Sequence, residues 1–249
     1  MASWYLFVLS RGLRNKTQWR EVKIGIFARL QRGVSATGSA ISRLCHRRVV
    51  AVLGNTEALA KRLDLEAFRQ QAFQAPALIW ISDGARGLWN VYSTWFASKA
   101  IGILDFYHAA QNLWKAAAAQ FDGRTTQARQ WFETMRHALR HGQQAAVLAQ
   151  LETALTSNQL GQQTLQTVRN VRDYLKTHEN HLDYERFKVL GFPLGSGFVE
   201  STCKWLIQQR FKGVGMRWSE SGFNHLLHLR LAWVNNRFDS AFPTPSPNL

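Results

Sequence analysis

Cysteine is scarce in this chain. The 249 residues include only Cys45 and Cys203, far apart and in no CxxC spacing. That excludes a disulfide framework or a clustered-thiolate zinc site as the organising feature. The apolar run from Trp4 to Leu9 is too short for a membrane span or a signal-peptide core, and no cleavage-site pattern follows it. A cytoplasmic protein with no membrane partner is expected. Internal repeats are absent as well. Acidic residues are few: 16 Asp+Glu stand against 31 Lys+Arg, a formal net charge of +15. Charge of that size and sign says nothing about the fold, but it calls for a polyanionic partner. Nucleic acid is the first expectation and a membrane surface the second. A basic protein with neither partner stays open.

What is present argues for a packed α/β protein. Hydrophobic residues make up 46% and charged residues 19%, the balance of a globular chain. Between Trp19 and Leu30, Val22, Ile24 and Ile26 alternate with Glu21 and Lys23, which is a strand signal. Gly33 to Ser39 reads as a turn and Arg47 to Leu53 as a second strand. Thr56, a good N-cap residue, opens a helix that runs towards Pro76. Ala77 to Ser82 and Ala100 to Leu104 are short apolar runs suited to buried central strands, each followed by a helix. From Thr125 to about Phe187 strong helix formers recur at helical spacing, so an all-helical insertion is expected. After the loop Gly191 to Gly197, two helices follow, Phe198 to Phe211 and Ser219 to Arg237, and the tail from Pro243 to Leu249 is expected to be disordered.

Three carboxylates and a basic stretch are the candidate chemistry. Asp83 and Asp105 each stand where an apolar strand gives way to a loop, the place where ligands gather in open α/β sheets. An Asp there also starts turns and caps helices, and that reading stays open. Glu200 opens a helix after the glycine-rich loop, a position the helix dipole favours for any carboxylate. Between Ser201 and Ser219 there is no acid, while Lys204, Arg210, Lys212 and Arg217 are interleaved with Trp205, Phe211 and Trp218. Cations alternating with aromatics suit phosphates and distorted bases. A solvated basic face over buried aromatics is the alternative. The pairs His137/His141, His178/His181 and His225/His228 have helical spacing but no acid or Cys completing a metal site, so they read as surface or packing residues. Ser196 lacks the strand–elbow–helix context of a nucleophile.

Four segments in order carry a resemblance: WREVKIG at 19–25, ISDGARGLW at 81–89, ILDFYHAAQNLW at 103–114 and GSGFVESTCKWLIQQRFKGVGMRWS at 195–219. Together they resemble bacterial insertion-sequence DDE transposases of the Kra type, relatives of the Mutator-like superfamily. The resemblance implies an RNase H-like mixed sheet with flanking helices, and an all-helical insertion before the last catalytic helix. It implies Mg²⁺-dependent cleavage and strand transfer on double-stranded DNA at transposon ends, by a homo-oligomer assembled on DNA. Two Mg²⁺ ions would sit about 3.5–4 Å apart between three carboxylates. Carried over by position, Asp83 is similar to the second catalytic, metal-binding carboxylate and Glu200 to the third. Asp105 and His108 match an accessory pair, with a structural role favoured for His108. Lys204, Arg210, Lys212, Arg217, Trp205 and Trp218 would contact DNA.

The departure from the pattern is at the first carboxylate, expected as Asp-Gly on a strand shortly before WREVKIG. No Asp precedes Asp64, and the only earlier acids are Glu21 and Glu57. The resemblance therefore implies an N-terminally truncated or frame-disrupted member, inactive alone, or a catalytically inactive DNA-binding remnant. The expected organisation is a separate segment at 1–18, the first part of the core at 19–121 and a helical insertion at 122–190. The end of the core with its basic helices follows at 191–238, and a disordered tail at 239–249.

Overall fold

The computed structural model describes residues 4–14, 19–34, 38 and 40–241. The expected turn at 33–39 and the tail at 243–249 lie largely or wholly outside the described residues. The protein is α/β. Five strands hydrogen-bond in the order β3-β2-β1-β4-β5. They are β1 (Trp4–Arg14), β2 (Trp19–Val34), β3 (Ala40–Leu53), β4 (Leu78–Ser82) and β5 (Ala100–Leu104). The first three form an antiparallel meander, with Phe7 opposite Ile26 and Ile26 opposite Val49. The run set apart in sequence as a separate N-terminal segment is thus β1, hydrogen-bonded between β2 and β4.

The chain divides into two compact units. The sheet unit comprises Met1–Trp80, Ala85–Ile101 and Ser196–Leu249, and the helical unit comprises Ile81–Gly84 and Gly102–Gly195.

In the sheet unit, β2 is buried on both faces. Ile24 and Ile26 lie on one face and Phe27 on the other, all with no exposure, and even Lys23 is 7% exposed. The alternation in the sequence therefore marks a strand without a solvent side. Lys23 tolerates this because its ammonium bonds Glu21 at 2.5 Å. Helix α1 (Thr56–Arg69) packs so close to β2 that a Cβ on Gly25 would stand 2.5 Å from Leu63 Cδ2. One extra residue in β3 opposite the Phe27–Arg29 step makes a bulge, with His46 there at φ 48°. The N-cap of α1 is Asn55, one residue before the Thr56 expected from the sequence, and its carboxamide oxygen accepts from Ala58 N–H at 2.9 Å. Asn55→Ala should cost about 1 kcal/mol in denaturant unfolding, the usual worth of such a cap. Unchanged stability would show that Thr56 takes over the role.

Helix α2 (Arg86–Val91) continues through a π turn at Tyr92–Phe96. Its Tyr92 and Phe96 rings pack on Trp80 at 5.8 and 5.4 Å. After residue 195 come α8 (Gly197–Cys203), a π turn at Lys204–Gln208, α9 (Gln209–Phe211), α10 (Glu220–Val234) and α11 (Phe238–Ala241). Helix α10 ends short of the Arg237 expected from periodicity. Asn235 leaves the helix to bond both backbone groups of Val49 on edge strand β3, each at 2.8 Å, and Asn236 then turns left-handed at φ 54°. The side chain thereby covers an edge otherwise open to pairing.

The helical unit is built from α3 (Phe106–Phe121), α4 (Thr126–Arg140), α5 (Gln144–Leu155), α6 (Gln162–Thr177) and α7 (Tyr184–Val189). These bury Leu113, Leu139, Leu151 and Leu175 at no exposure. Tyr184 is fully buried against Phe106, with ring centroids 5.1 Å apart, and its hydroxyl donates to Leu104 O at 3.0 Å. Among the described residues no helix is long and apolar enough to cross a membrane.

Candidate functional site

Within the helical unit, the carboxyl ends of two adjacent strands bring Asp83 and Asp105 into one neighbourhood. The chain crosses between these strands through α2, the helical connection that parallel neighbours need. Asp105 N–H donates to Ser82 O at 2.9 Å, locking the two strand ends together.

Asp105 is 1% exposed. Its Oδ1 caps α3 by accepting from the backbone N–H groups of Tyr107 at 2.7 Å and His108 at 3.2 Å. Its Oδ2 stands 3.5 Å from His108 Nδ1, one turn along the helix. Buried carboxylates require such donors. The His108 ring thus lies against the buried carboxylate at the strand end. Gly195, at the end of the loop before Glu200, approaches the same place: a Cβ there would meet the Tyr107 ring at 2.6 Å.

Asp83 is half-buried at the end of β4, and the turn it opens is clamped by α6. Gly84 N–H donates to the Tyr174 hydroxyl, and the His178 ring donates to Gly84 O. Tyr174 and His178 are four residues apart and stack edge-on at 5.4 Å, so one helical face holds both backbone groups of one residue. A Cβ on Gly84 would lie 2.0 Å from the Tyr174 ring, so glycine is required at this approach. Burial, with the charges of Asp83 and Asp105 adding to it, pushes the Tyr174 phenol well above its ordinary range, while Asn112 bonds its hydroxyl. Burial, and behind it His181, pulls His178 down to about 4, so it is neutral at physiological pH. His181 Nδ1 lies 3.0 Å from Gly102 O.

These clamp residues were missed in the sequence. The sequence reads His178 and His181 as surface or packing residues, and in the structure the His178 ring also lies edge-on to Tyr174, four residues earlier. The i,i+4 spacing was the available signal, but nothing in the sequence says that Gly84 lies under it.

Glu200 belongs to the sheet unit. It is exposed in the first turn of α8, whose N-cap is Ser196. In the same unit Lys204, Arg210, Lys212 and Arg217 are all exposed. Lys204 opens the π turn, a feature frequent at functional sites. The aromatics of this stretch divide differently. Phe211 is buried and packs on Phe223 at 4.4 Å, and Trp218 lies edge-on to Phe211 at 5.4 Å with its indole N–H donating to Phe211 O at 3.1 Å. Trp205 is half-buried, and its carbonyl and that of Leu206 accept from Arg230. Trp218 thus holds its loop onto Phe211, while the four cations of the stretch are exposed.

Among the described residues no group of three His, Cys, Asp or Glu is arranged to hold a metal. Strand β1, WYLFVLSRGLR, carries no carboxylate at all. His137 and His141 stack on each other at 4.1 Å, and His141 Nδ1 lies 2.8 Å from the His137 carbonyl oxygen.

No protein-family model matches the chain, and neither does any curated protein.

Proposed function

We propose that this protein binds duplex DNA as a transposase-type chain with an RNase H-like sheet, and that it does not cut. The observation that carries the reading is the sheet order β3-β2-β1-β4-β5 with an Asp at the carboxyl end of β4. That arrangement supports an RNase H-like core in which Asp83 is the second carboxylate of a phosphoryl-transfer centre and Glu200 the third. The exposed Lys204, Arg210, Lys212 and Arg217, in a stretch free of acids, support phosphate contact. Strand β1 would carry the first carboxylate and has none, which supports binding without chemistry. The ligand set is incomplete for the two Mg²⁺ ions of the family pattern, so no catalytic step is assigned through them. Transposon ends are the proposed DNA, engaged by more than one copy.

Fluorescence anisotropy with a duplex oligonucleotide across 50–200 mM salt tests the first half, and incubation of a supercoiled plasmid with Mg²⁺ tests the second. Salt-sensitive binding with no nicking above the protein-free control is expected. Absence of binding at 50 mM salt would sink the DNA reading. Nicking that Asp83→Ala abolishes would sink the claim that the centre is incomplete.

A further inference from the structure

The sheet unit contains a cavity of about 370 Å³ that the DNA reading leaves unused. Its floor is the backbone and side chains of Val49, Val50 and Ala51 on edge strand β3, and one wall is Leu231 and Ala232 of α10. Arg62, Leu65 and Arg69 of α1 are exposed and form the mouth. A cavity of this size, mostly apolar with a few placed polar groups, has the build of a small-molecule site.

Its charge is one-sided. Three arginines, Arg62, Arg69 and Arg237, line it against a single acid, Glu66, a net of +2. The acid is already engaged. Glu66, 4% exposed, takes the Arg237 guanidinium on both oxygens at 2.9 and 3.0 Å and also accepts from Gln70 at 2.8 Å. Arg69 stands 3.9 Å from the same carboxylate and is itself half exposed. Arg62 makes no ion pair among the described residues, and its charge is felt by His228 across the mouth. The fork of Arg237 on Glu66 and the Asn235 bonds to Val49 hold the walls in place, so the space does not depend on a ligand to form.

We propose that this cavity binds a small organic anion, with its carboxylate or phosphate against Arg62 and Arg69 and its apolar body on the Val49–Ala51 floor. The proposal does not rest on DNA binding. An apolar floor disfavours a bare inorganic ion, and a guanidinium at the rim with no ion pair among the described residues favours an anion over its neutral isostere.

The test uses four probes on the full chain: octanoate, octyl phosphate, octanol and inorganic phosphate, followed by calorimetry and by the NMR signals of the His228 ring and the Ala232 methyl. One or both of the amphiphilic anions should bind at least tenfold more tightly than octanol and than inorganic phosphate, and should move both signals. Which anion wins identifies the head group. Arg62→Gln should weaken that binding about tenfold or more, the worth of a charge-assisted hydrogen bond. Ala232→Leu should weaken it by filling the space. If either variant loses its folded spectrum, the parent's NMR shifts alone decide. Equal binding of octanol, equal binding of inorganic phosphate, or binding that leaves His228 and Ala232 unmoved would overturn the proposal.

Discussion

Changing Lys204, Arg210, Lys212 and Arg217 together to alanine should flatten the salt dependence of DNA binding by about 3.6 in log–log slope. Each neutralised phosphate contributes roughly 0.9 on duplex DNA through counterion release. Between 50 and 200 mM salt that difference amounts to roughly two orders of magnitude in affinity that the parent loses and the variant does not. All four side chains are exposed, so the variant should keep its fold. The loss should be uniform across DNA sequences, since phosphate contacts position without specifying. Anisotropy titrations at four or five salt concentrations measure the slope directly. A slope identical to the parent's would mean that the stretch is a solvated face and that the net charge of +15 acts elsewhere. Trp218→Ala is a useful contrast, because the ring is committed to Phe211. It should lower stability rather than change the slope.

The strands and long helices were legible because each has a strong local pattern. β4 is a continuous apolar run and is buried at all five positions. The helices after Thr125 follow helix formers at helical spacing. The positions of Asp83 and Asp105 are legible because a strand end followed by an acid is visible in sequence, and Asp105 both caps α3 and is buried beside His108. What could not be read depends on long-range contact. The place of β1 in the sheet is fixed by its pairing with β2, and its own sequence offered only a short apolar run. The early end of α10 is set by Asn235 reaching β3, 186 residues away in sequence. The cavity beside β3 draws its arginines from α1 and the residues after α10, which no spacing rule connects. The clamp on Gly84 likewise needs a helix 90 residues downstream of it, between Gly84 and Tyr174.

That clamp leads to the other large effect, a loss of stability in mild acid. His178 sits at about 4 in the folded protein, chiefly through burial, against an ordinary 6.5 for the unfolded chain. As pH falls from neutrality, the unfolded state therefore takes its proton first. Stability is complete above pH 6.5, declines through the window down to about 4, and flattens below it. A gap of that size corresponds to something on the order of 3 kcal/mol when integrated over the window. Other groups face the same ring: Tyr174 and its neighbour Asp83, the Gly84 carbonyl, and His181, which burial also lowers. Carboxylates elsewhere add their own acid sensitivity, so the parent's curve alone does not isolate His178. His178→Gln does, because the carboxamide N–H can still donate to Gly84 O but gains no proton. Denaturant unfolding of both proteins at pH 7 and at pH 4.5 should show the gap between them shrinking or reversing at the acid end, with the parent falling further. His178 should also titrate near 4 by NMR while the fold persists, and His181 should move later than a solvent-exposed histidine. Parallel pH curves for parent and variant would show that His178 is solvated in the folded protein, and that the grip of α6 on the Asp83–Gly84 turn is loose.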